Sequence, residues 1–316
     1  MRVEDLERLA EDMETGKIPV LGPEDTFNFA CDTCGLCCAN TDILLTPYDL
    51  IHLRRYLGCA TTDLIRRRLV EVFPGGRSRV PLAMISFRPL GDDFTVCPFL
   101  AHVADKGRLM QRMAGRGDPT LEDLEAARVP GKMACAIYPA RPGVCRSSPL
   151  GRVVTFYPEG EEDRAWREQK VILVSPGPDC QGMKADNRVT VREWLEQNGV
   201  LPYWQASRSY QRLSVLMVDQ GLRLPEEDSK LPQGIRAMLT ALWQAAAAIL
   251  FDFGAVGAVV SQFPQNRQRE DFREDLSLVT RCQGMVRELA DVASALCHQG
   301  DHGRGVRDGD DEGAAE

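Results

Sequence analysis

The sequence predicts an α+β fold, in which a small antiparallel sheet with cysteine-bearing loops is followed by an all-helical C-terminal region. Between residues 79 and 180, short apolar runs are separated by clusters of Pro, Gly and Asp, which is typical of strands and turns. Beyond the capping-box pattern Thr190-Val191-Arg192-Glu193, apolar residues recur every three or four positions, which indicates helices. We therefore divide the chain into an N-terminal helix and linker (1–26), a cysteine-cluster domain (27–185), a helical region (186–298) and an acidic tail expected to be disordered (299–316).

Helix caps and breakers predict the first elements. Residues 3–14 have the apolar spacing of a short helix, whereas residues 15–30 contain two prolines and two glycines and indicate an extended linker. The pair Thr46-Pro47 supplies an N-cap and a proline at the first helical position, so a helix is expected to begin there and to end at Gly58. A further helix is expected over Thr61–Phe73.

The central strands follow the apolar runs of the sequence. The expected strands are Val80–Phe87, Phe94–Val96, Val153–Tyr157 and Val171–Val174. Residues 105–130 interrupt them with a basic, glycine-containing segment and a short helix near Leu121–Ala127. In residues 268–297, steps of three and four define one apolar helix face, formed by Phe272, Leu276, Val279, Cys282, Val286, Leu289, Val292 and Leu296.

Charge and hydropathy exclude several classes of protein. The formal net charge of −8 arises at the ends, because residues 1–14 and residues 301–316 each carry six acidic residues and two arginines. The neutral body lacks the basic footprint of a nucleic-acid-binding protein. The stretch Ala237–Val260 is long enough to span a bilayer, but Asp252 lies well inside it. We expect a buried core helix ending near Phe253, and no membrane association.

The N-terminus has no apolar core of a secretory signal, so we expect a cytoplasmic location. In a reducing compartment the eleven cysteines are free or bind metal. The densest group is the octapeptide Cys31-Asp-Thr-Cys34-Gly-Leu-Cys37-Cys38. A C-x-x-C turn directs two sulfurs toward one point, as in half of a tetrahedral zinc site, and C-x-x-C-x-x-C also surrounds one face of a cubane cluster. Gly35 suits the tight turn, because glycine tolerates positive φ. The octapeptide therefore predicts an iron–sulfur or zinc centre.

The adjacent pair Cys37 and Cys38 complicates this interpretation. Side chains of neighbouring residues are expected to diverge, so that one small ion would not readily take both. One of the two thiols would then bridge two metals, serve a second site or remain a nearby thiol. A cluster of redox-active thiols without metal is the alternative.

The other cysteines differ in context. Four lie in turn-rich loops, where ligands from distant segments can converge: Cys97, Cys135, Cys145 and Cys180. For Cys180 we predict a sulfur within about 4 Å of another sulfur of the set, as for thiolates that share one zinc. Cys59 and Cys282 are expected to be packing residues, because one closes a helix and the other lies on an apolar helix face. Cys297, His298 and His302 resemble a metal-binding tract but border the acidic tail, and we do not assign them to the site. His52 and His102 are expected to be structural.

Buried thiolates require nearby hydrogen-bond donors and cations. Three arginines lie in the segment that carries Cys135 and Cys145: Arg141, Arg146 and Arg152. Arg141 and Arg146 are fixed beside prolines and a candidate ligand, which favours a role at the site. For Arg152, an ordinary surface ion pair explains its presence equally well.

The combined motifs resemble the YkgJ or CxxCxxCC cysteine-cluster family over about residues 27–183. They are the octapeptide, Cys97-Pro-Phe-Leu, Cys135-Ala-Ile-Tyr-Pro-Ala-Arg-Pro-Gly-Val-Cys145-Arg146, and a final Cys180 before Gly182. The resemblance implies a zinc- or iron-chelating domain, whose metal ligands would be Cys31, Cys34, Cys37, Cys38, Cys97, Cys135, Cys145 and Cys180. Family members often continue the Cys-Arg step with an aromatic residue and Pro, whereas this chain has Ser147-Ser148-Pro149.

Three functions follow as hypotheses. The first is a cytoplasmic metal-binding protein that holds an iron–sulfur cluster, the preferred cofactor, or Zn²⁺, and that serves electron transfer, metal handling or architecture with an unknown protein partner. The second is an S-adenosylmethionine-dependent protein lysine methylase, because the family domain also occurs in a flagellin lysine methylase. The third is a structural zinc module with a partner-binding helical region. The sequence has no Ser/His/Asp or Cys/His catalytic pattern and no assignable nucleotide-binding glycine loop, which favours a protein that is not an enzyme.

Overall fold

The structure, a computed structural model, describes residues 3–75, 78–90, 94–104, 106–114, 120–126, 128–156, 166–174, 180–226, 230–251 and 272–302. The helices are α1 (Val3–Glu14), α2 (Pro47–Leu57), α3 (Thr61–Arg66), α4 (Lys106–Met113), α5 (Leu121–Ala126), α6 (Gly143–Ser147), α7 (Val191–Gln197), α8 (Leu201–Asp219), α9 (Gln233–Phe251) and α10 (Phe272–His302). The strands are β1 (Val20–Leu21), β2 (Thr26–Asn28), β3 (Leu44–Leu45), β4 (Val70–Gly75), β5 (Val80–Ile85), β6 (Arg88–Pro89), β7 (Thr95–Val96), β8 (Leu100–Ala104), β9 (Arg128–Cys135), β10 (Leu150–Phe156), β11 (Trp166–Leu173) and β12 (Arg188–Thr190).

These elements confirm the predicted α+β class, with short antiparallel strands before a mostly helical C-terminal part. Within the described residues, the strands are distributed over several small sheets, ordered β1-β11-β10, β12-β2, β3-β5-β4, β6-β7 and β8-β9. The predicted helix near residues 121–127 is α5, and the predicted strands correspond to β5, β7, β10 and β11. Strands β8 and β9 were not among the predicted strands.

The chain divides into two compact units, each built from two stretches of sequence. We call Met1–Ile43 with Ile85–Trp204 the cysteine unit, and Leu44–Met84 with Gln205–Glu316 the helical unit. Residues 44–84 thus group with the C-terminal helices, whereas 186–204 group with the cysteines. The predicted boundary between residues 185 and 186 falls inside the cysteine unit.

In the cysteine unit, an aromatic core holds the chain around α7. The rings of Phe27 and Phe29 meet the Trp194 ring edge-on, at centroid distances of 5.9 and 5.3 Å. The Trp194 indole N–H donates a hydrogen bond to the carbonyl of Ser147, at 3.1 Å, and so fixes the end of α6. Burying one such aromatic side chain stabilises a fold by about 1.5–3 kcal/mol. This core therefore anchors the short helix that carries Cys145.

The predicted linker over residues 15–30 contains two paired strands. Val20 of β1 lies opposite Ile172 of β11, and Phe27 of β2 lies opposite Val189 of β12. The prediction of a plain linker was incomplete because the partners lie more than a hundred residues along the chain, beyond any local signal. Pairing of the backbone groups ties this segment to the aromatic core.

In the helical unit, the caps of α2 confirm the sequence interpretation. Thr46 accepts a hydrogen bond from the Asp49 backbone N–H, and Asp49 accepts one from the Thr46 N–H, which is the reciprocal capping box. Gly58 ends the helix with φ of 62°. The next helix is shorter than predicted, because it ends at Arg66 and residues Val70–Gly75 form β4 in the β3-β5-β4 sheet.

The last two helices of this unit pack through one face each. Among the described helices, α9 alone is long and apolar enough to cross a membrane by length and composition, with a mean hydropathy of 1.4. Its buried side chains recur at helical spacing: Leu239, Trp243, Ala246, Ala247, Leu250 and Phe251. One face of α9 is therefore buried, but only 22% of its most apolar window is, so the helix is not buried throughout as a core helix would be. Residues 252–271, where the helix was expected to end, lie outside the described part.

Helix α10 differs from the predicted apolar face. Its buried positions include Val286, Ala290 and Ala293, whereas Val292 is 47% exposed. The buried face thus follows small residues that allow close helix approach, and not the larger apolar side chains alone. The helix also continues to His302, so residues 299–302 are helical although the predicted tail included them. The remainder of that tail, residues 303–316, lies outside the described residues.

Candidate metal site

The octapeptide lies against the antiparallel pair of β8 and β9, whose connection contains α4 and α5 and which we call the β8-β9 hairpin. The Met133 N–H donates a hydrogen bond to the carbonyl of Thr33, at 2.5 Å. A side chain added at Gly35 would approach Met133 Cβ to 3.1 Å and Leu100 Cδ2 to 3.2 Å. Gly35 has φ of 80°, which confirms the prediction that this turn requires glycine. The turn can therefore approach the hairpin closely only because position 35 lacks a side chain.

The turn that follows brings Cys37 and Cys38 together. Leu36–Cys38 form a 3₁₀ turn, in which the Cys38 N–H donates to the carbonyl of Gly35 at 2.9 Å. The sulfurs of Cys37 and Cys38 lie 3.9 Å apart. Two thiolates on one tetrahedral metal, with bonds of about 2.3 Å, lie about 3.8 Å apart. The expectation that these two side chains diverge was wrong, because the 3₁₀ turn tightens the backbone between them.

Backbone hydrogen bonds bring Cys97 close to Cys38. The Cys97 N–H donates to the carbonyl of Cys38, at 2.8 Å, and Ala39 forms an isolated antiparallel bridge with Val96. Asn40 supports this contact, because its side-chain oxygen accepts from the Thr95 N–H at 2.7 Å. Cys97 itself is buried, with 9% of its surface exposed.

The hairpin and α6 bring two further cysteines. Cys135 ends β9 and pairs with Leu100 of β8, and the Ala136 N–H donates to the carbonyl of Phe99 at 2.8 Å. Cys135 thus stands across the hairpin from the segment that begins at Cys97. Cys145 lies on α6, and both side chains are half-buried.

The thiols of these five cysteines act on one another electrostatically. Contact with the Cys38 thiol lowers the pKa of Cys37 to about 6, and the charge of Arg141 adds to this effect. The same contact raises the pKa of Cys38, with burial and the neighbouring Cys97 and Cys145 acting in the same direction. The contact therefore favours the thiolate form at Cys37 and the thiol form at Cys38.

Burial is the largest influence on the pKa values of Cys97 and Cys135. It raises the pKa of Cys97, and the nearby Cys135 and Cys37 raise it further. It also raises the pKa of Cys135, while Arg141 opposes the effect. These mutual effects define a group of five cysteines, which we call the central thiols: Cys37, Cys38, Cys97, Cys135 and Cys145.

Of the other three predicted ligands, two lie in the part of the octapeptide that precedes Gly35. Cys31 is exposed, like Cys37, and Cys34 is half-buried, like Cys38, so exposure does not separate the two halves of the octapeptide. Cys180 is 6% exposed and belongs to an apolar cluster with Phe27, Phe29 and Trp204. It is therefore not the surface-loop cysteine that would be the simplest alternative to a ligand. The prediction that its sulfur lies within about 4 Å of another remains a prediction.

Among the described residues, no three Cys, His, Asp or Glu side chains stand in a ready metal-binding arrangement. The central thiols nevertheless fit a soft metal by their chemistry, because thiolate sulfur is the ligand that zinc and iron–sulfur clusters select. The Cys37–Cys38 separation already matches two ligands of one tetrahedral ion.

The three arginines have unequal roles. Arg141 acts on Cys37 and Cys135, as expected of a charge-compensating residue. Arg146 instead donates to backbone carbonyls of Arg141, at 2.9 Å, and of Asn198, at 3.2 Å, and its guanidinium lies 4.8 Å from the centre of the Tyr203 ring. We therefore assign Arg146 a structural role, contrary to the sequence-based expectation.

Arg152 is also structural. It donates to the carbonyl of Trp204 at 2.9 Å and stacks on the ring of the same residue. Sequence reasoning missed two residues. The charge of Arg88 opposes the rise in the pKa of Cys97, and the Asn198 side chain accepts a hydrogen bond from Arg141. Neither had a local signal, because Arg88 reaches the site through the β6-β7 hairpin and Asn198 through the end of α7.

The roles expected for the cysteines and histidines outside the site remain predictions, and their described surroundings are as follows. Cys59 follows the α2 cap and borders a surface cavity of about 490 Å³. The Cys297 sulfur lies beside Gly221, where an added Cβ would approach it to 2.8 Å. The His52 ring packs on Tyr48 at 4.6 Å. The side chains of Cys282, His102 and His302 lie outside the described residues.

Comparison with known proteins returned no match to the chain among family models, curated proteins or solved structures.

Proposed function

We propose that this chain is a thiolate metal-binding protein, whose site is built around the central thiols and whose role is electron transfer, metal handling or architecture. The observation that supports the proposal is the approach of three segments that are far apart in sequence. The Cys97 N–H donates to the Cys38 carbonyl, and the β8-β9 register pairs Cys135 with Leu100, close behind Cys97. Cys145 is linked to them through its electrostatic effect on Cys38.

The geometry bears on the kind of metal. A cubane cluster takes one thiolate for each iron, whereas zinc and each iron of a [2Fe–2S] cluster take two or more. The 3.9 Å between the sulfurs of Cys37 and Cys38 suits two ligands of one tetrahedral metal. This separation supports Zn²⁺ or a [2Fe–2S] cluster over the cubane that the C-x-x-C-x-x-C spacing suggests.

The charge around the site supports the same proposal. Four thiolates on one Zn²⁺ leave a net charge of about −2, which must be compensated in a partly buried site. The charge of Arg141 favours the thiolate form of Cys37, and that of Arg88 opposes the larger effect of burial at Cys97. The resemblance to the cysteine-cluster family, and the cytoplasmic location that keeps thiols reduced, belong to the same proposal.

The experiment that tests the proposal is anaerobic purification followed by elemental analysis and an absorption spectrum. We expect about one or two zinc or iron atoms per chain, with broad visible absorption only if the metal is iron with sulfide. Folded protein that contains no stoichiometric metal and whose cysteines all react as free thiols would overturn the proposal.

A further inference from the structure

A surface cavity of about 490 Å³ lies where α2 meets α3, within the helical unit. Ile51, Arg54, Arg55 and Gly58 line it, and residues three and four apart along a helix share one face. One face of α2, continued by its cap, therefore forms a wall of the cavity and brings two guanidinium groups to it. The volume lies within the range of about 300–1,000 Å³ that is typical of pockets for small molecules.

The turn between the two helices completes the cavity. Gly58 has φ of 62°, a left-handed conformation that ends α2 and directs the chain into α3. Cys59, Ala60 and Asp63 follow this turn and also line the cavity. No atom of the described residues lies within 4 Å of a Cβ added at Gly58, so the corner between the helices is open.

Basic residues in the last turn of a helix commonly serve only to offset its negative end. In α2, however, backbone groups close this end. The Gly58 N–H donates to the carbonyl of Arg55, at 3.4 Å, and the Cys59 N–H donates to the carbonyl of Arg54, at 3.2 Å. These carbonyls are thus satisfied without the guanidinium groups, which leaves the cavity as the place where both arginines have a shared role.

The charge at the cavity is positive. Asp63 borders it, but the carboxylate is already bound: Oδ1 accepts a hydrogen bond from Arg66, and Oδ2 accepts one from the Ala60 N–H at 3.2 Å. Arg54, Arg55 and Arg66 against Asp63 leave a net charge of about +2 at the cavity and its rim. The surrounding residues 51–68 contain five arginines and one aspartate, in a chain whose formal net charge is −8.

We propose that this cavity binds a phosphate monoester dianion. The planar donors of two guanidinium groups match the oxygens of a phosphate group. A phosphate monoester carries a charge of about −1.5 to −2 at neutral pH, which the net charge of the cavity balances, whereas a monocarboxylate would leave one positive charge uncompensated. Ile51 and Ala60 supply apolar surface for the organic part of an ester. The inference is independent of the metal site, whose thiols belong to the cysteine unit.

The test is calorimetric titration of the full-length protein, purified under reducing conditions, with inorganic phosphate and with phenyl phosphate. We expect one site for both probes. Tighter binding of phenyl phosphate would identify an organic ester as the kind of ligand, and equal affinity would identify free phosphate; either result supports the site. Phenyl sulfate, a monoanion of similar shape, should bind more weakly than phenyl phosphate. Equal affinity for the two phenyl esters would overturn the assignment to a dianion.

Substitutions locate the site. Arg54→Gln and Arg55→Gln each remove a charged donor, so each should bind phenyl phosphate about tenfold more weakly than the wild type. Arg67→Gln is the matched control, because Arg67 belongs to the same basic segment and is exposed but does not line the cavity. Its affinity should stay within about twofold of the wild type, since salt screens an exposed charge. Wild-type affinity in both Arg54→Gln and Arg55→Gln would overturn the inference.

Cys59 supplies a readout in the wild-type protein, which keeps the test valid should Arg54→Gln fail to fold. Cys59 is half-buried and lines the cavity, so bound phenyl phosphate should slow its alkylation by iodoacetamide. Cys297, also half-buried and in the helical unit, should react at an unchanged rate, and peptide mass analysis separates the two. Unslowed alkylation of Cys59 at saturation, or binding of neither probe up to about 10 mM, would overturn the inference and leave the proposed metal-binding function intact.

Discussion

At the scale of single residues, the chemistry depends on which cysteines share surroundings. The central thiols influence the pKa values of one another. They lie on different elements, with Cys37 and Cys38 in a 3₁₀ turn and Cys135 at the end of a strand. Cys59 has ordinary surroundings at the end of a helix.

The first prediction compares cysteines by substitution. Cys38→Ser and Cys145→Ser should lower the metal content to below about half and should destabilise the cysteine unit, because metal binding contributes to folding. Cys59→Ser is the matched control and should keep its metal. The measurement is metal per chain after anaerobic purification, with a thermal melt on the same sample. A loss in Cys59→Ser as large as in Cys38→Ser would show that the division by surroundings is wrong.

A second prediction concerns pH. Because the pKa values of Cys38, Cys97 and Cys135 are raised, these thiols are protonated near pH 7 in the metal-free protein and must lose protons when they bind metal. Zinc affinity should therefore rise with pH, and should fall further below about pH 6, where Cys37 also becomes protonated. The dissociation constant measured from pH 5.5 to 8 tests this. A constant that does not change over that range would contradict it.

At the scale of elements, the octapeptide turn packs directly on the β8-β9 hairpin. Gly35 combines a positive φ with close approach to Met133 and Leu100, whereas at Gly58, which also has a positive φ, no atom of the described residues lies within 4 Å of an added Cβ. A side chain would therefore strain the backbone similarly at the two positions. Only at position 35 would it also push the turn away from the hairpin.

A third prediction uses this pair of glycines. Gly35→Ala and Gly58→Ala should each lower the free energy of unfolding by about 1–2 kcal/mol, because a non-glycine residue resists left-handed backbone angles. Only Gly35→Ala should also weaken zinc binding, since it displaces Cys37 and Cys38 from the hairpin. Chemical denaturation and zinc competition on both variants provide the measurement. Equal zinc affinity in the two would exclude the turn as the determinant of the site.

At the scale of the whole molecule, local signals predicted local structure and failed where distant segments meet. The capping box at Thr190 and the cap at Thr46 lie within one turn of chain, and both are confirmed. The strands β1 and β2 depend on partners far along the sequence, so the prediction of a plain linker was incomplete. The predicted extent of α3 was wrong because residues 70–75 form β4, which pairs with the next strand, β5. The same reason explains the site: the octapeptide was recognisable, but the burial of Cys180 and the roles of Arg88 and Asn198 depend on packing that no local pattern records.

A fourth prediction concerns the stability of the molecule. Removal of the metal by a chelator under reducing conditions should lower the melting temperature of the cysteine unit more than that of the helical unit, because the central thiols all lie in the former. Hydrogen exchange followed by peptide mass analysis should show faster exchange in β8 and β9 and unchanged exchange in α9. Faster exchange confined to α9 would place the metal elsewhere.

The most direct test of the central claim is X-ray absorption at the metal edge of protein purified without oxygen. The edge identifies the element, and the fine structure reports the atoms bound to it. We predict a stoichiometric metal with sulfur ligands at about 2.3 Å, as for thiolates on zinc. A first shell of only nitrogen and oxygen atoms, or the absence of stoichiometric metal from folded protein, would contradict the account.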